Sequence, residues 1–226
     1  SVEMGTDRIH HGFWSCMDTT HHAHVPDNAF KDAIFEYYKY LDKEIGETLA
    51  CMDLSKTALW MVSDHGCKTM VGGCMFNQWL VNEGYLVFKE PPKPKQKFDY
   101  KDVDWSKTRA WGDGGYYGRF FVNLQGREPN GQVPREKYEA FRDELATRIE
   151  GIVDPQGKLM GNKCYKPEKI YAKVNGVAPD LVVIFGDLRW RSVGLVGSDS
   201  IYTYENDTGP DDANHAQQGM YIVTHP

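Results

Sequence analysis

The chain has 226 residues, with 26 Lys plus Arg against 32 Asp plus Glu and a formal net charge of -6. That length allows one large domain or two small ones with a sizeable core, and 41% hydrophobic with 26% charged residues excludes wholesale disorder. No apolar run approaches the ~20 residues that span a bilayer, no secretory signal opens the chain, and an acidic balance without basic blocks argues against a nucleic-acid binder.

In chain order, residues 2–7 read as the end of a strand that delivers Asp7 to a loop, in a chain cut from a longer protein. Residues 15–26 form a polar, His-rich loop ending at Pro26. Asp27 or Asn28 then caps a long helix, running to Leu49, in which Phe30, Ile34, Tyr37, Leu41 and Ile45 recur at helical spacing. The apolar run 57–63 predicts a strand buried on both faces, ending at Asp64-His65-Gly66. A helix over 77–83 leads to the apolar stretch 85–88, and the Pro- and Lys-rich residues 91–97 read as an exposed linker.

A Gly/aromatic turn over 111–117 precedes a strand from Arg119 to Leu124. After Pro134, Tyr138, Phe141, Leu145 and Ile149 define one face of a second helix. Residues 181–185 predict another buried strand, and 220–223 a last one. Strands alternating with helices make this an α/β protein. The five cysteines, Cys16, Cys51, Cys67, Cys74 and Cys164, contain no C-x-x-C pair. They read as reduced, mostly buried thiols of a cytoplasmic protein rather than a disulfide framework.

Three histidines sit with carboxylates. Asp7-Arg8-Ile9-His10-His11 follows the first predicted strand, Asp64-His65-Gly66 follows the second, and His215 closes the polar loop Asn206 through His215. Carboxylate and imidazole together suit zinc or manganese, and open α/β sheets gather ligands at the carboxyl ends of their strands. Each piece alone is weak; their joint placement at strand ends is the stronger signal. The run His21-His22-Ala23-His24 reads instead as a solvated loop, and Asp207, Asp211 and Asp212 as a loop that presents His215, since the order of an EF-hand is lacking. P-loop, zincin and α/β-hydrolase motifs do not occur. Arg119, Arg127, Arg189 and Arg191 are candidates for phosphate contact, against the plainer reading of surface ion pairs. Trp111, Tyr116 and Tyr117 read as packing aromatics before base-stacking ones.

These segments resemble the alkaline phosphatase superfamily, in particular its type I phosphodiesterase/nucleotide pyrophosphatase branch and the predicted phosphohydrolase/phosphomutase proteins within it. The resemblance is carried by Thr6 through Trp14, Val62 through Gly66, Gly126-Arg127-Glu128-Pro129, Ala178-Pro179-Asp180-Leu181 and Asn206 through His215. It implies part of an alkaline-phosphatase-like sheet flanked by helices. Residues 1–85 would be the metal-site part of the core, 86–175 an insertion or cap-like region, and 176–226 the return to the core.

The resemblance also implies two divalent ions, zinc or manganese, at one phosphoryl site. Asp7, His11 and His215 match the ligands of one; Asp64 and His65 match two ligands of the other. A further Asp and the Thr or Ser nucleophile precede the D-x-x-x-H segment in the family, and no residue of this chain carries over to either role; Thr6, Thr19 and Thr20 do not occupy the nucleophile's position. The expectation is therefore a metal-dependent phosphoester hydrolase whose N-terminal half is missing. By itself this chain would hold at most one ion firmly and be inactive. Its partners would be a small phosphoester and that missing half, with neither nucleic acid nor membrane. The alternatives are a non-catalytic metal-binding or interaction module, or a phosphomutase of the same superfamily.

Overall fold

A computed structural model describes residues 1–205 and 211–224. Its helices are α1 (Gly5–Met17), α2 (Ala33–Ala50), α3 (Phe76–Asn82), α4 (Tyr138–Glu150) and α5 (Pro167–Ile170). The strands are β1 (Leu59–Val62), β2 (Gly66–Thr69), β3 (Gly72–Cys74), β4 (Gln96–Lys97), β5 (Ala110–Asp113), β6 (Gly118–Val122), β7 (Lys163–Tyr165), β8 (Leu181–Ile184), β9 (Trp190–Ser192), β10 (Leu195–Val196), β11 (Tyr202–Thr203), β12 (Ala213–Ala216) and β13 (Tyr221–Thr224). The chain is mixed α/β, as read, but its strands form several small sheets. Among the described residues every ladder between named strands is antiparallel except β3 with β9.

Two compact units emerge. The first comprises residues 1–71 and the described residues after 210; the second spans 72–209. In the first, α1 packs against α2 and against the antiparallel pair β2–β12. Residues 2–7 do not form a strand. Gly5 opens α1, and Ile9, Phe13 and Trp14 recur at helical spacing behind it, with Asp7 in the first turn where the helix dipole favours an anion. The far end of α1 is fastened to β2, because the Trp14 indole N–H reaches both Asp18 Oδ2 and Thr69 Oγ1 at 3.0 Å.

The second helix starts at Ala33, later than a cap at Asp27 or Asn28 predicts. Asp27 holds a left-handed φ of 54°, and the Asn28 amide is taken up by the Cys16 and Val25 carbonyls and the Phe30 N–H, which makes a turn of the segment. Ile34 is buried and Tyr37, Leu41 and Ile45 half-buried, so the predicted face is the inner one; Phe30 is exposed. The buried strand expected over 57–63 is a second correction. Among the described residues β1 pairs only with β13, and Trp60 and Val62 stand 70% and 69% exposed. Its apolar run records what the side chains are, and periodicity alone does not say how many neighbours cover them.

The second unit is built on the sheet β5-β6-β8-β7, with α4 packed against β7. Phe141, Leu145 and Ile149 of α4 are buried, as are Phe120, Val122, Leu181 and Val183 of the sheet. Trp111, Gly112 and Asp113 of the Gly/aromatic segment lie on β5, and residues 114–117 make the turn into β6. Gly112 is required there, since a Cβ would lie 2.4 Å from the Phe76 ring. Residues 85–88 form no strand and contribute only the bridge Phe88 to Val103, because Tyr85 and Leu86 turn into the core instead. The Pro- and Lys-rich stretch ends in β4, which pairs with β10. All five cysteines are free, yet Cys74 alone is buried and Cys51 is exposed, so they are less hidden than their composition predicts.

Candidate metal centre

One helical turn separates Asp7 from His11, and an α-helix sets residues four apart on the same face. His11 Nε2 lies 3.2 Å from Asp7 Oδ1. The third group arrives from β12, whose register places His215 opposite Cys67 of β2. His215 therefore sits on a strand and not in the polar loop expected for it; Asn206 through Pro210 lie outside the described residues. His215 Nε2 is 3.4 Å from Asp7 Oδ1 and 3.3 Å from His11 Nε2.

The chemistry of this triangle points to a cation. His11 Nδ1 faces the Ala213 carbonyl at 2.9 Å and Asp211 Oδ1 at 2.6 Å. A carbonyl only accepts, so Nδ1 carries a proton, and in the neutral form of the ring the lone pair on Nε2 faces Asp7 and His215. Asp7, His11 and His215 form a group able to hold a metal, the only such group among the described residues. Donor atoms around a tetrahedral zinc with bonds of about 2.0–2.1 Å are spaced by roughly 3.3 Å. The three edges fit that spacing.

The site is half-buried, with the His11, His215 and Asp7 side chains 15%, 21% and 35% exposed. The Asp211 hydrogen bond raises the His11 pKa against the lowering effect of burial. Burial, with His65 alongside, lowers that of His215. Cys67, on the neighbouring strand, is pushed up to about 12, mainly by burial.

Asp64 and His65 are not part of the triangle. They occupy the connection between β1 and β2, where the Asp64 side chain is 90% exposed and lies 3.7 Å from His65 Nε2. His65 does adjoin the site, its ring stacked on His215 with centroids 3.7 Å apart and 16° between planes. The His65 Nδ1–H donates to the Gly66 carbonyl at 2.9 Å, which leaves Nε2 as its lone-pair nitrogen. His10 turns away against Trp14 and Tyr38.

The other histidine run is not a solvated loop throughout. His21 is 4% exposed, accepts the Ala23 N–H on Nδ1 and stacks on His22. His24 Nδ1 donates to the Ser15 carbonyl.

In the second unit, two segments singled out from the sequence meet at Asp180. Arg127 binds both its oxygens at 2.7 Å, the Val122 N–H donates to it at 2.5 Å, and the Tyr138 hydroxyl donates to Oδ1. Arg119 pairs with Asp113 at 2.6 Å, and the Arg191 guanidinium lies over the Tyr116 ring. Trp111 stacks on Phe121. Of the four candidate phosphate arginines, Arg119 and Arg127 are thus engaged by carboxylates.

The profile of the type I phosphodiesterase / nucleotide pyrophosphatase family matches residues 8–211. The chain belongs to that family. A search of curated proteins finds no match. The match to the phosphodiesterase family runs through most of both units. It begins one residue after Asp7 and ends before His215, so those two candidate ligands rest on the geometry above. Membership of this phosphodiesterase family, within the alkaline phosphatase superfamily, points to phosphoester hydrolysis. No helix among the described residues is long and apolar enough to cross a membrane.

A carboxylate also enters the site that sequence reasoning did not assign to it. Asp211 was legible only as one acid in a polar loop; its seat behind His11 depends on a contact across 200 positions of chain.

Proposed function

We propose that this chain is the metal-holding part of a divalent-metal-dependent phosphoester hydrolase of phosphodiesterase or phosphatase type. The observation that carries the reading is the convergence of Asp7 Oδ1, His11 Nε2 and His215 Nε2 at 3.2–3.4 Å from one another. Asp7, His11 and His215 would hold one divalent ion, zinc or manganese. A divalent ion bound there supplies Lewis-acid stabilisation of charge on a phosphoryl oxygen.

The residues have distinct tasks in this reading. Asp7 brings the negative charge that makes the site cation-selective. The Ala213 carbonyl and Asp211 keep the His11 proton on Nδ1, and His65 covers one face of the His215 ring. Asp64 and His65 are proposed as two ligands of a second ion, too few to retain it alone. The nucleophile and the remaining ligand are assigned to a segment outside these 226 residues, following the family pattern. The substrate is proposed as a small phosphoester rather than nucleic acid, consistent with a net charge of -6. Free cysteines support a reducing, cytoplasmic setting.

The test is metal retention after zinc loading and desalting, read by elemental analysis. The chain is expected to keep about one zinc, because three protein ligands hold a metal where two do not. His215→Ala should lose it, while His24→Ala, outside the triangle, should not. Retention unchanged by His215→Ala would sink the assignment. With a chromogenic phosphodiester, the zinc-loaded chain alone should show no turnover above buffer.

A further inference from the structure

We propose that Asp211 is the positioning residue of the metal centre, acting through His11; this rests on the metal reading above. Its Oδ1 lies 2.6 Å from His11 Nδ1, on the ring edge away from Nε2, and its side chain is only 8% exposed. A carboxylate buried to that degree is costly unless a donor or cation engages it. Here the engaged donor is the imidazole whose other nitrogen points at Asp7 and His215.

The backbone holds Asp211 in that seat. Its neighbour Asp212 donates its N–H to the His11 carbonyl at 2.9 Å, and the Asp212 carboxylate accepts from Ser15 N and Oγ at 3.2 and 2.5 Å. The Asp212 carbonyl in turn accepts from Met70 N. The start of β12 is therefore stitched to α1 at two points and to the end of β2 at a third. Asp211 faces the back of the ring while Asp7 faces its front. A carboxylate behind a ligating histidine fixes the tautomer and raises the basicity of the ligating nitrogen, and losing such a partner weakens metal affinity by about 10- to 100-fold.

The experiment is a zinc titration of the 226-residue chain by chelator competition, for the parent and for D211A and D211N. D211A should weaken zinc binding by about 10- to 100-fold, and D211N, which keeps an acceptor oxygen, by less. Proton NMR of the metal-free chain should show the His11 Nδ1–H far downfield in the parent and moved upfield in D211A, independently of any metal.

Zinc binding by D211A as tight as the parent's overturns the proposal. An Nδ1–H resonance indifferent to D211A overturns it too. A parent chain that binds no zinc overturns the metal reading, and this proposal with it, before any variant is compared. Circular dichroism of each variant separates these results from unfolding, and D211N provides the isosteric control.

Discussion

Asp18 closes α1 with a side chain that three residues address. Thr20 donates N–H and Oγ at 2.9 and 2.7 Å, the Trp14 indole donates at 3.0 Å, and the Thr69 hydroxyl donates to the same carboxylate. Burial by itself would raise the Asp18 pKa, but the bonds from Thr20, Thr69 and Trp14 outweigh it and hold the carboxyl well below the usual range. A depressed folded-state pKa means that the ionised form is the stabilising one. Its contribution is complete above the ordinary aspartate value of about 3.9 and fades as pH falls below that value. Asp18→Asn is expected to cost about 1–2 kcal/mol at pH 7 in urea unfolding, and the gap to the parent should narrow from pH 4 downward. A gap that is constant with pH would show that the carboxylate's charge is not what matters. At this scale the approach of Asp7 to His11 was legible only through the family resemblance, which sets an Asp and a His four residues apart; the helix that makes that spacing one turn was misread as a strand end. Asp18 and Asp211 were not legible, since each depends on a partner brought by tertiary contact, Thr69 for one and His11 for the other.

Elements in the second unit are joined by a buried charge. Asp180 precedes β8 and is 3% exposed, and it draws in the end of β6 through the Val122 N–H, the following loop through Arg127, and α4 through Tyr138. The Asp180 hydrogen bonds raise the Arg127 pKa further, so the guanidinium stays charged throughout the pH range of a folded protein. Removing one partner of such a pair strands the other and typically costs about 3–5 kcal/mol. Asp180→Ala should therefore destabilise by about that amount, while Arg119→Ala, which breaks a pair at the surface, should change stability by no more than ~1 kcal/mol. Equal effects would place Asp180 among ordinary surface pairs. Helix α4 was readable from Phe141, Leu145 and Ile149 because a buried helix face repeats within its own sequence. Strand β12 was not, because its pairing with β2 spans about 150 positions of chain and only that pairing lifts His215 out of a loop. The exposure of β1 was hidden for a related reason. Val62 and Trp60 have the composition of a covered strand, and only the topology shows a single neighbour among the described residues.

At the scale of the whole molecule the two units differ in how their stability is built. Nearly all the large buried side chains, from Phe76 and Tyr85 to Phe185 and Val196, belong to residues 72–209. The other unit buries Ile34, Met70, Ala213, His21, Thr69 and Asn214, and it also carries the candidate metal triangle. A unit with few buried apolar side chains opens at lower free energy, and a ligand that binds only its closed form stabilises it by mass action. Amide hydrogen exchange in residues 1–71 and 211–224 should therefore be faster than in the β5-β6-β8-β7 sheet. Zinc at 100 times its Kd should slow exchange in the first unit by about 100-fold, which corresponds to ~2.7 kcal/mol, and should leave Val183 and Phe120 unchanged. Slowing spread evenly over both units would mean that they unfold as one cooperative body. Slowing confined to residues 72–205 would place the ion elsewhere and remove Asp7, His11 and His215 from its coordination. On the metal reading the first unit would link function to fold in one step, because the candidate ligand atoms lie on α1 and β12, the elements that the ion would have to keep together.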